Sequence, residues 1–382
     1  FLTGTLGNRT AILKQAVESV SKVIFSKEHL MPKLPTFSAI LLIAGLNSAA
    51  ADISDIDSTG WAANPVDYGM TAKEFINAES RAFFADFLGR AEINSFHHFK
   101  TLATPDDRWV VSPNVDTLYS VGVVNVTEGF TLDIPDTGER FLSIQIIDEN
   151  HMTPFHLYGG GARSFSADQF ETDYIAIGLR IGTDGTPEDI AFINEAIQDK
   201  TKISGAKDEE AMLRPDLDLM LKVRAPMLEQ FGKLPNSFGV MQERTADVKD
   251  WEIFTYVTAG AWGLSKNQHA MYATHTPAGA IGGECWIGTF PPVPAEEFFS
   301  ITVYGPHQFL MTNENNVVSS TRGAITEADG SFTVVFGGEQ CRGKAPNFAY
   351  TPEDGWNLML RAYRPRVEEF LDYKMPTLTR IK

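Results

Sequence analysis

The spacing of hydrophobic residues predicts a helix ahead of the first strands. In residues 71–90 (TAKEFINAESRAFFADFLGR), apolar side chains recur at helical spacing along one face. Thr71 and Glu74 have the spacing of a capping box, in which each side chain bonds the backbone of the other residue. We interpret this segment as a helix that packs on a core.

Two later regions have the pattern of short strands. Between Trp109 and about Ile181, and again from Trp286, runs rich in Val, Ile, Thr and aromatic residues are separated by turns that contain Gly, Pro or Asp. Such spacing is typical of β-sandwiches and barrels. The runs are TLYSVGVVNV, GFTLDIP, RFLSIQIID and DYIAIGLRIG in the first region, and WIGTF, FFSITVYG, SFTVVFGG and WNLMLRAYRP in the second.

A helical region separates these two groups of strands. Pro187 and Pro215 are each placed to begin a helix, because proline is tolerated in the first helical turn. The segment 251–264 is compatible with a helix or a strand, although Gly260 and Gly263 disfavour a long regular helix.

The two groups of strands share a short pattern. Pro135 precedes the run FLSIQI by six residues, and Pro292 precedes FFSITV by the same distance. The two β units either follow related plans or resemble each other by chance, as apolar strands often do.

Together these patterns predict a β-rich α+β fold. It has a short N-terminal helical segment and two antiparallel β-sandwich-like units joined by a helical connector. We place the N-terminal helix and the first β domain in residues 52–186, the connector in 187–259 and the second β domain in 260–382.

Residues 31–51 have the three parts of a secretory signal. Met31 and a nearby lysine precede the apolar run FSAILLIAGL, which leads to the small residues before Ala51 that signal peptidase recognises. A short buried helix is the alternative, but the alanine-rich end and Asp52 argue against it. We therefore expect a periplasmic or secreted protein that is cleaved near Ala51, with residues 1–30 as a non-native extension.

Composition narrows the class of partner. The chain has 32 Lys plus Arg against 49 Asp plus Glu, a net charge of −17, and a negative field of this size repels the phosphates of nucleic acid. It lacks a run of about 18 apolar residues, so stable insertion into a membrane is not expected. A small-molecule or glycan ligand is compatible with this composition.

The sequence contains two cysteines, Cys285 and Cys341. In an oxidising compartment they either form one disulfide or remain as buried thiols. Cys285 lies just before the run WIGTF and Cys341 just after TVVFGG. We hypothesise a bridge between them, which requires these two strands to be neighbours.

The segment 112–120 (SPNVDTLYS), here called the signature segment, resembles the signature of a bacterial family known only as domain of unknown function 1254. In that family the run is followed by a strand, by a P-D-T-G-x-R turn and by a strand that ends in Asp. Residues 135–140 and Asp148 match these features.

The C-terminal part resembles the usual companion of that family, domain of unknown function 1214. The matching pieces are residues 298–304, 328–331 and 360–365. The combined resemblance implies an exported protein with helices at its start and two β-rich domains joined by helices. It assigns no reaction.

Asn114, Asp116 and Tyr119 of the signature segment are the candidate catalytic residues. Alternate residues of a strand face the same way, so Asn114 and Asp116 can present an amide and a carboxylate to one cleft. Asp116 would then act as a general base, and Tyr119 would donate to a developing oxyanion. The same run also fits an Asx turn that caps the chain before a strand, and this structural interpretation stays open.

Asp148, Arg361 and Tyr363 are the candidate substrate-binding residues. Arg361 and Tyr363 share a face of the last strand, where an arginine beside an aromatic ring fits an acidic ligand or a carboxylate of the protein itself. Asp148, together with His151 and His156, has donor types that bind metals, but most such clusters are solvated loops. We predict no metal there.

Several motifs that carry known chemistry are absent from the sequence. It has no G-x-S-x-G elbow, no P-loop and no H-E-x-x-H, so we expect no cofactor, no zinc protease and no serine hydrolase of the usual type.

Two function classes remain. One is a metal-independent hydrolase or lyase that uses Asp116 with Asn114 and Tyr119. The other is a non-enzymatic module that binds a small molecule, a glycan or a protein, and the two differ in whether the candidate side chains converge on one pocket.

Overall fold

The computed structural model describes residues 56–108 and 110–382. The predicted signal at 31–51 and the extension at 1–30 lie outside these residues. The described chain forms five α-helices and sixteen strands arranged in four sheets. The predicted β-rich α+β fold is confirmed.

The helices begin where side chains can satisfy their first backbone N–H groups. They are α1 (Ala72–Leu88), α2 (Pro187–Phe192), α3 (Leu217–Phe231), α4 (Trp251–Gly260) and α5 (Val367–Leu371). Thr71 and Glu74 form the predicted capping box at α1. Pro187 begins α2 as predicted, but α3 begins after Pro215, because the side chain of Asp216 caps it. The segment that fitted either helix or strand begins with α4.

The first β unit consists of two sheets packed face to face. Its strands are β1 (Ser95–His98), β2 (Thr117–Asn125), β3 (Phe130–Ile134), β4 (Leu142–Asp148), β5 (Phe155–Tyr158), β6 (Gly161–Phe165), β7 (Tyr174–Gly182) and β8 (Lys202–Ser204). Sheet A has the order β1-β2-β7-β4-β5 and sheet B the order β6-β3-β8, both antiparallel. Leu118, Ile144 and Ile177 of sheet A pack on Phe130 and Leu132 of sheet B. Strand β8 completes sheet B from within the segment predicted as the connector.

The second β unit repeats the two-sheet plan. Its strands are β9 (Ala270–His275), β10 (Trp286–Phe290), β11 (Ala295–Tyr304), β12 (Val317–Ser319), β13 (Phe332–Gly337), β14 (Asn347–Tyr350), β15 (Asn357–Pro365) and β16 (Thr379–Arg380). Sheet C has the order β12-β11-β15-β9 and sheet D the order β14-β13-β10-β16. All pairs are antiparallel except β13 with β14. Ile301 and Leu360 of sheet C pack on Phe290 and Phe336 of sheet D.

A disulfide joins Cys285 to Cys341, with 1.98 Å between the sulfurs and 5.5 Å between the Cα atoms. The bridge forms because β10 and β13 are neighbours, with Trp286 opposite Phe336. The hypothesis drawn from the positions of the two cysteines is therefore confirmed.

Helices cover the outer face of sheet A. Phe84 and Phe87 of α1 pack on Val121 and Val123 of β2, and α3 and α4 pack on α1. Within the described part of the chain, no helix is both long enough and apolar enough to cross a bilayer. The outer face of sheet A is therefore covered by helices, whereas sheet B exposes Thr131 and Ser164 and sheet D exposes Thr289 and Thr333.

Candidate ligand-binding cavity

A cavity of ≈ 910 Å³ lies where the outer faces of sheets A and C meet the helices. Tyr119 and Arg180 line it from sheet A, and Tyr272 and Arg361 line it from sheet C. Parts of α1 and α3, the loop after α4 and the segments 99–108 and 110–114 complete the wall. The volume lies within the range of sites that hold small molecules.

The charged side chains of the cavity wall are mostly positive. Within the described lining they are Arg180, Arg224, Arg361 and Asp107, in a chain whose net charge is −17. Arg224 forms a buried ion pair with Glu79. The interior of the cavity therefore differs in charge from the molecule as a whole.

Sheets A and C each present a tyrosine opposite an arginine to the cavity. Tyr119 of β2 is the register partner of Arg180 of β7, and Tyr272 of β9 is the partner of Arg361 of β15. Opposite residues of an antiparallel pair have Cβ atoms about 4.5–5.5 Å apart, close enough for their side chains to interact. The two β units thus bring similar polar pairs to one space.

Arg361 is bonded to neutral groups of the protein. Its Nη1 donates to Thr302 Oγ1 at 2.9 Å, and its Nη2 donates to the Ser112 carbonyl at 2.7 Å and to Tyr304 Oη at 2.6 Å. The residue is only 3 % exposed. Arg361 therefore holds the signature segment against the second β unit, although it lines the cavity.

Arg180 has fewer partners. Its Nη1 donates to Gln145 Oε1 at 2.8 Å, and a second hydrogen bond joins it to Tyr119. Gln145 is itself held in place, because its amide nitrogen donates to the carbonyl of Gly263 at 3.1 Å. A guanidinium has five N–H donors, and no carboxylate of the described residues forms an ion pair with this one. Arg180 therefore keeps donor capacity on the cavity wall.

Tyr363 is a second donor on this wall. The backbone N–H of Asp116 donates to Asn114 Oδ1 at 2.5 Å, which fixes the orientation of the amide so that Asn114 Nδ2 donates to Tyr363 Oη at 2.5 Å. Since the Tyr363 oxygen accepts this bond, its own O–H remains for another acceptor. Burial, reinforced by the charge of Asp116, raises the pKa of Tyr363 well above its usual value. Tyr363 is therefore a neutral hydroxyl donor.

Asp116 lies behind the cavity wall rather than on it. Its side chain is 1 % exposed, and Oδ2 accepts a hydrogen bond from Ser300 Oγ of β11 at 2.5 Å. Oδ1 is buried without a partner among the described residues. The carboxylate thus lies at the contact between the two β units, and its role as a general base stays a prediction.

Asp148 is the last residue of β4, and it does not line the cavity. Its Oδ1 accepts the backbone N–H groups of Asn150 and Met152, both at 2.9 Å. Burial raises the pKa of Asp148 to about 8. The structure therefore places this carboxyl where it organises the turn, and substrate binding by it stays a prediction.

The two histidines that follow Asp148 lie in different environments. His151 accepts from the Gly263 N–H at 2.8 Å and bonds Thr258 Oγ1 at 2.9 Å, whereas His156 stacks on His269 with ring centroids 3.9 Å apart. Burial lowers the pKa of His151 to about 3 and, with the charges of His269 and Arg180, that of His156 to about 2. In the residues that the structure describes, no three His, Cys, Asp or Glu side chains are grouped to hold a metal ion.

Two family models match the chain. Residues 93–164 match the model described as Protein of unknown function (DUF1254), and residues 282–367 match the one described as Protein of unknown function (DUF1214). The chain contains the DUF1254 and DUF1214 domain pair. The DUF1254 match includes Tyr119 of the signature segment, and the DUF1214 match includes Arg361 and Tyr363, so both halves of the pair contribute to the cavity.

Two solved structures were compared with the fold of this DUF1254–DUF1214 chain. A crystal structure of the VPA0106 protein from Vibrio parahaemolyticus is similar with a TM-score of 0.63 and 16 % identity, covering 84 % of this chain and 100 % of that one. An uncharacterized protein from Burkholderia cenocepacia has a TM-score of 0.47 and 14 % identity, covering 100 % of this chain and 97 % of that one. The first similarity supports the fold alone. No protein with a curated description matches this chain in sequence.

Sequence reasoning identified part of the cavity of the DUF1254–DUF1214 pair and missed the rest. Asn114, Tyr119, Arg361 and Tyr363 line it as a group. The lining residues Arg180, Tyr272 and Gln145 were not among the candidates, and Arg180 lies outside both family matches. The run DYIAIGLRIG is apolar apart from the aspartate at its start and Arg180. This single basic residue was the one signal in the sequence that pointed to Arg180.

Proposed function

We propose that the protein binds a small molecule that combines an apolar body with an anionic group, and that it does so without catalysing a reaction. The observation that carries this proposal is Arg180, a cation on the cavity wall that has neutral partners and spare N–H donors. A charge taken out of water is costly unless it is paired, and such groups are often retained for function.

The distribution of charge supports an anion rather than a cation as the ligand. The field of a chain with net charge −17 repels anions at a distance. Attraction must therefore come from groups inside the cavity, where Arg180 and the hydroxyl of Tyr363 are available. A cationic ligand would find a single lining carboxylate, that of Asp107, among the described residues.

The rest of the wall suits an apolar body. Phe83 and Trp262 stack with ring centroids 4.1 Å apart, and both line the cavity with Phe87, Phe99 and Phe231. Aromatic and aliphatic walls with a few placed polar groups are the usual composition of ligand pockets. The ligand therefore needs an apolar portion larger than its polar end.

The enzymatic alternative, a hydrolase or lyase that uses Asp116 with Asn114 and Tyr119, is the weaker candidate. The Asp116 carboxylate is 1 % exposed and bonded to Ser300, and a general base must reach the proton that it removes. Asn114 is likewise committed to Tyr363 and to the Asp116 backbone. These contacts favour the binding module.

Calorimetric titration of the full chain with dodecanoate and with dodecanol tests the proposal. The two probes share an apolar body and differ in the anionic group. We expect dodecanoate to bind at least about tenfold more tightly than dodecanol to the wild type, and the difference to vanish in Arg180→Met. Arg163→Met is the matched control, because Arg163 bonds the carbonyls of Tyr158 and Gly159 and does not line the cavity. Equal affinity for both probes in the wild type would contradict the proposal.

We also propose that the protein is exported to the periplasm or secreted. Two features support this: the signal-like residues 31–51 and the disulfide between Cys285 and Cys341, which persists in oxidising compartments. Expression from Met31 in a Gram-negative host should yield a mature chain that starts near Asp52. Recovery of the exported protein with Met31 still at its N-terminus would contradict cleavage.

A further inference from the structure

The balance of charge around the cavity limits the charge of the ligand. Arg224 is neutralised by Glu79 in a buried ion pair. Arg361 is hydrogen-bonded to neutral groups, and the carboxylate of Asp116 is the acidic group that interacts electrostatically with its guanidinium. Each of these two arginines thus has an acidic neighbour that belongs to the protein.

Arg180 differs from the other two arginines. The side chains that interact electrostatically with its guanidinium are the tyrosines Tyr119, Tyr272 and Tyr363, and no carboxylate is among them. Asp107 is the remaining lining carboxylate, and it accepts two hydrogen bonds from Thr104 in its own loop, at 2.7 and 2.8 Å. The anion-binding end therefore offers one uncompensated positive charge.

The donors at this end also fit a small anion. Arg180 supplies N–H groups in one plane, and Tyr363 supplies one O–H. A carboxylate accepts two parallel N–H bonds from a guanidinium and a further bond from a hydroxyl. A phosphate monoester carries close to two negative charges at neutral pH and three acceptor oxygens, which one cation and one hydroxyl would leave partly uncompensated.

We infer that the ligand is a monocarboxylate with a long aliphatic or aromatic body, held by Arg180 and Tyr363 at the junction of the two β units. This inference rests on the proposed function and adds the class of the anionic group. Arg180 belongs to β7 of the first unit and Tyr363 to β15 of the second, so both units contact the carboxylate. Tyr363 is a binding residue in this account.

Titration of the full chain with three probes of one chain length tests the inference. The probes are dodecanoate, dodecyl phosphate and dodecanol. We expect dodecanoate to bind at least about tenfold more tightly than each of the other two. Tyr363→Phe should weaken dodecanoate binding about five- to tenfold and leave dodecanol binding unchanged, while a thermal melt reports whether the variant is folded.

The outcomes separate this inference from the function on which it rests. Tighter binding of dodecyl phosphate than of dodecanoate would overturn the monocarboxylate and leave anion binding in place. Equal binding of all three probes, or no binding of any, would overturn both. Unchanged dodecanoate affinity in a folded Tyr363→Phe protein would overturn the contact with Tyr363.

Discussion

The two β units present similar Tyr–Arg pairs to one cavity and use them differently. In the second unit, Arg361 has three neutral acceptors within 2.9 Å and ties the signature segment to sheet C. In the first unit, Arg180 bonds Gln145 and Tyr119 and keeps further donors. The same residue type in the same kind of cross-strand position therefore serves the fold in one unit and is available to a ligand in the other.

Other features follow the same division. The second unit contains the disulfide between Cys285 and Cys341. The first unit contains Asp148, whose carboxyl is buried and whose pKa is raised to about 8. The second unit is therefore cross-linked covalently, whereas the first unit contains a carboxyl whose burial costs stability. Four changes test this difference, from the largest expected effect to the smallest.

The pH dependence of stability should report the cost of burying Asp148. Its folded pKa of about 8 exceeds the unfolded value of about 4. The stability that it contributes is therefore full below about pH 4 and is lost as the pH rises to about 8. Asp148→Asn keeps an acceptor oxygen and does not titrate. We expect the free energy of unfolding of the variant to increase relative to that of the wild type by roughly 1.4 kcal/mol for each pH unit across this window, measured by urea unfolding.

Asp136→Asn is the control for Asp148→Asn. Asp136 also accepts a backbone N–H in a turn, that of Gly138 at 3.0 Å, but it is exposed. We expect the effect of Asp136→Asn on the free energy of unfolding to be small, because the side chain is exposed. Parallel pH profiles for wild type and Asp148→Asn would show that the Asp148 carboxyl is not held at a cost.

Loss of the disulfide should destabilise the second unit. The bridge spans 56 residues, and the chain-entropy estimate for a loop of this length is about 4 kcal/mol. We expect the double variant Cys285→Ser, Cys341→Ser to lose about that much in chemical unfolding, with the reduced wild type behaving alike. A loss below about 1 kcal/mol in both samples would mean that packing alone holds this unit.

Removal of Arg361 should cost about 3 kcal/mol. Arg361→Met leaves the buried hydroxyls of Thr302 and Tyr304 and the Ser112 carbonyl without their donor, and each unsatisfied buried group costs about 1–3 kcal/mol. Arg364→Met on the same strand is the control, since Arg364 is exposed and forms long surface ion pairs. Equal losses in the free energy of unfolding for the two variants would contradict the structural role of Arg361.

The contact between Asp116 and Ser300 should couple the two β units by about 1 kcal/mol. A double-mutant cycle of Asp116→Ala, Ser300→Ala and the combined variant measures this coupling directly. Asp116→Asn keeps an acceptor oxygen for Ser300 and should lose little stability. Additive losses in the cycle would show that the hydrogen bond does not join the units.

The sequence was informative about the fold where the signal is local. The capping box of Thr71 and Glu74 and the alternating strands depend on residues close together in the chain. The disulfide is different, because Cys285 and Cys341 are 56 residues apart, and only the position of each cysteine beside a strand indicated it. Asn114 was recognised as a site residue through the family resemblance, and it does line the cavity.

The remainder of the site depends on contacts between distant segments. Asp116 accepts a hydrogen bond from Ser300, which is 184 residues away in the chain. The residues next to Asp116 in the sequence therefore gave no indication that its side chain lies behind the cavity wall. Arg180 and Arg361 look alike in their strands, and only the partners that surround them distinguish a structural arginine from an available one. Those partners come from neighbouring strands of the same sheet and, for Arg361, from the Ser112 carbonyl, and the pattern within a single strand does not encode them.

Thermal melting of the wild type and Arg180→Met, each with and without dodecanoate, tests the central claim most directly. Arg180 is a charge held on the cavity wall for binding, so we expect the variant without ligand to melt at the same temperature as the wild type or higher. Dodecanoate should raise the melting temperature of the wild type, because a ligand that binds the folded state stabilises it, and should raise that of the variant much less. A variant that melts lower and is stabilised by dodecanoate as strongly as the wild type would contradict the account.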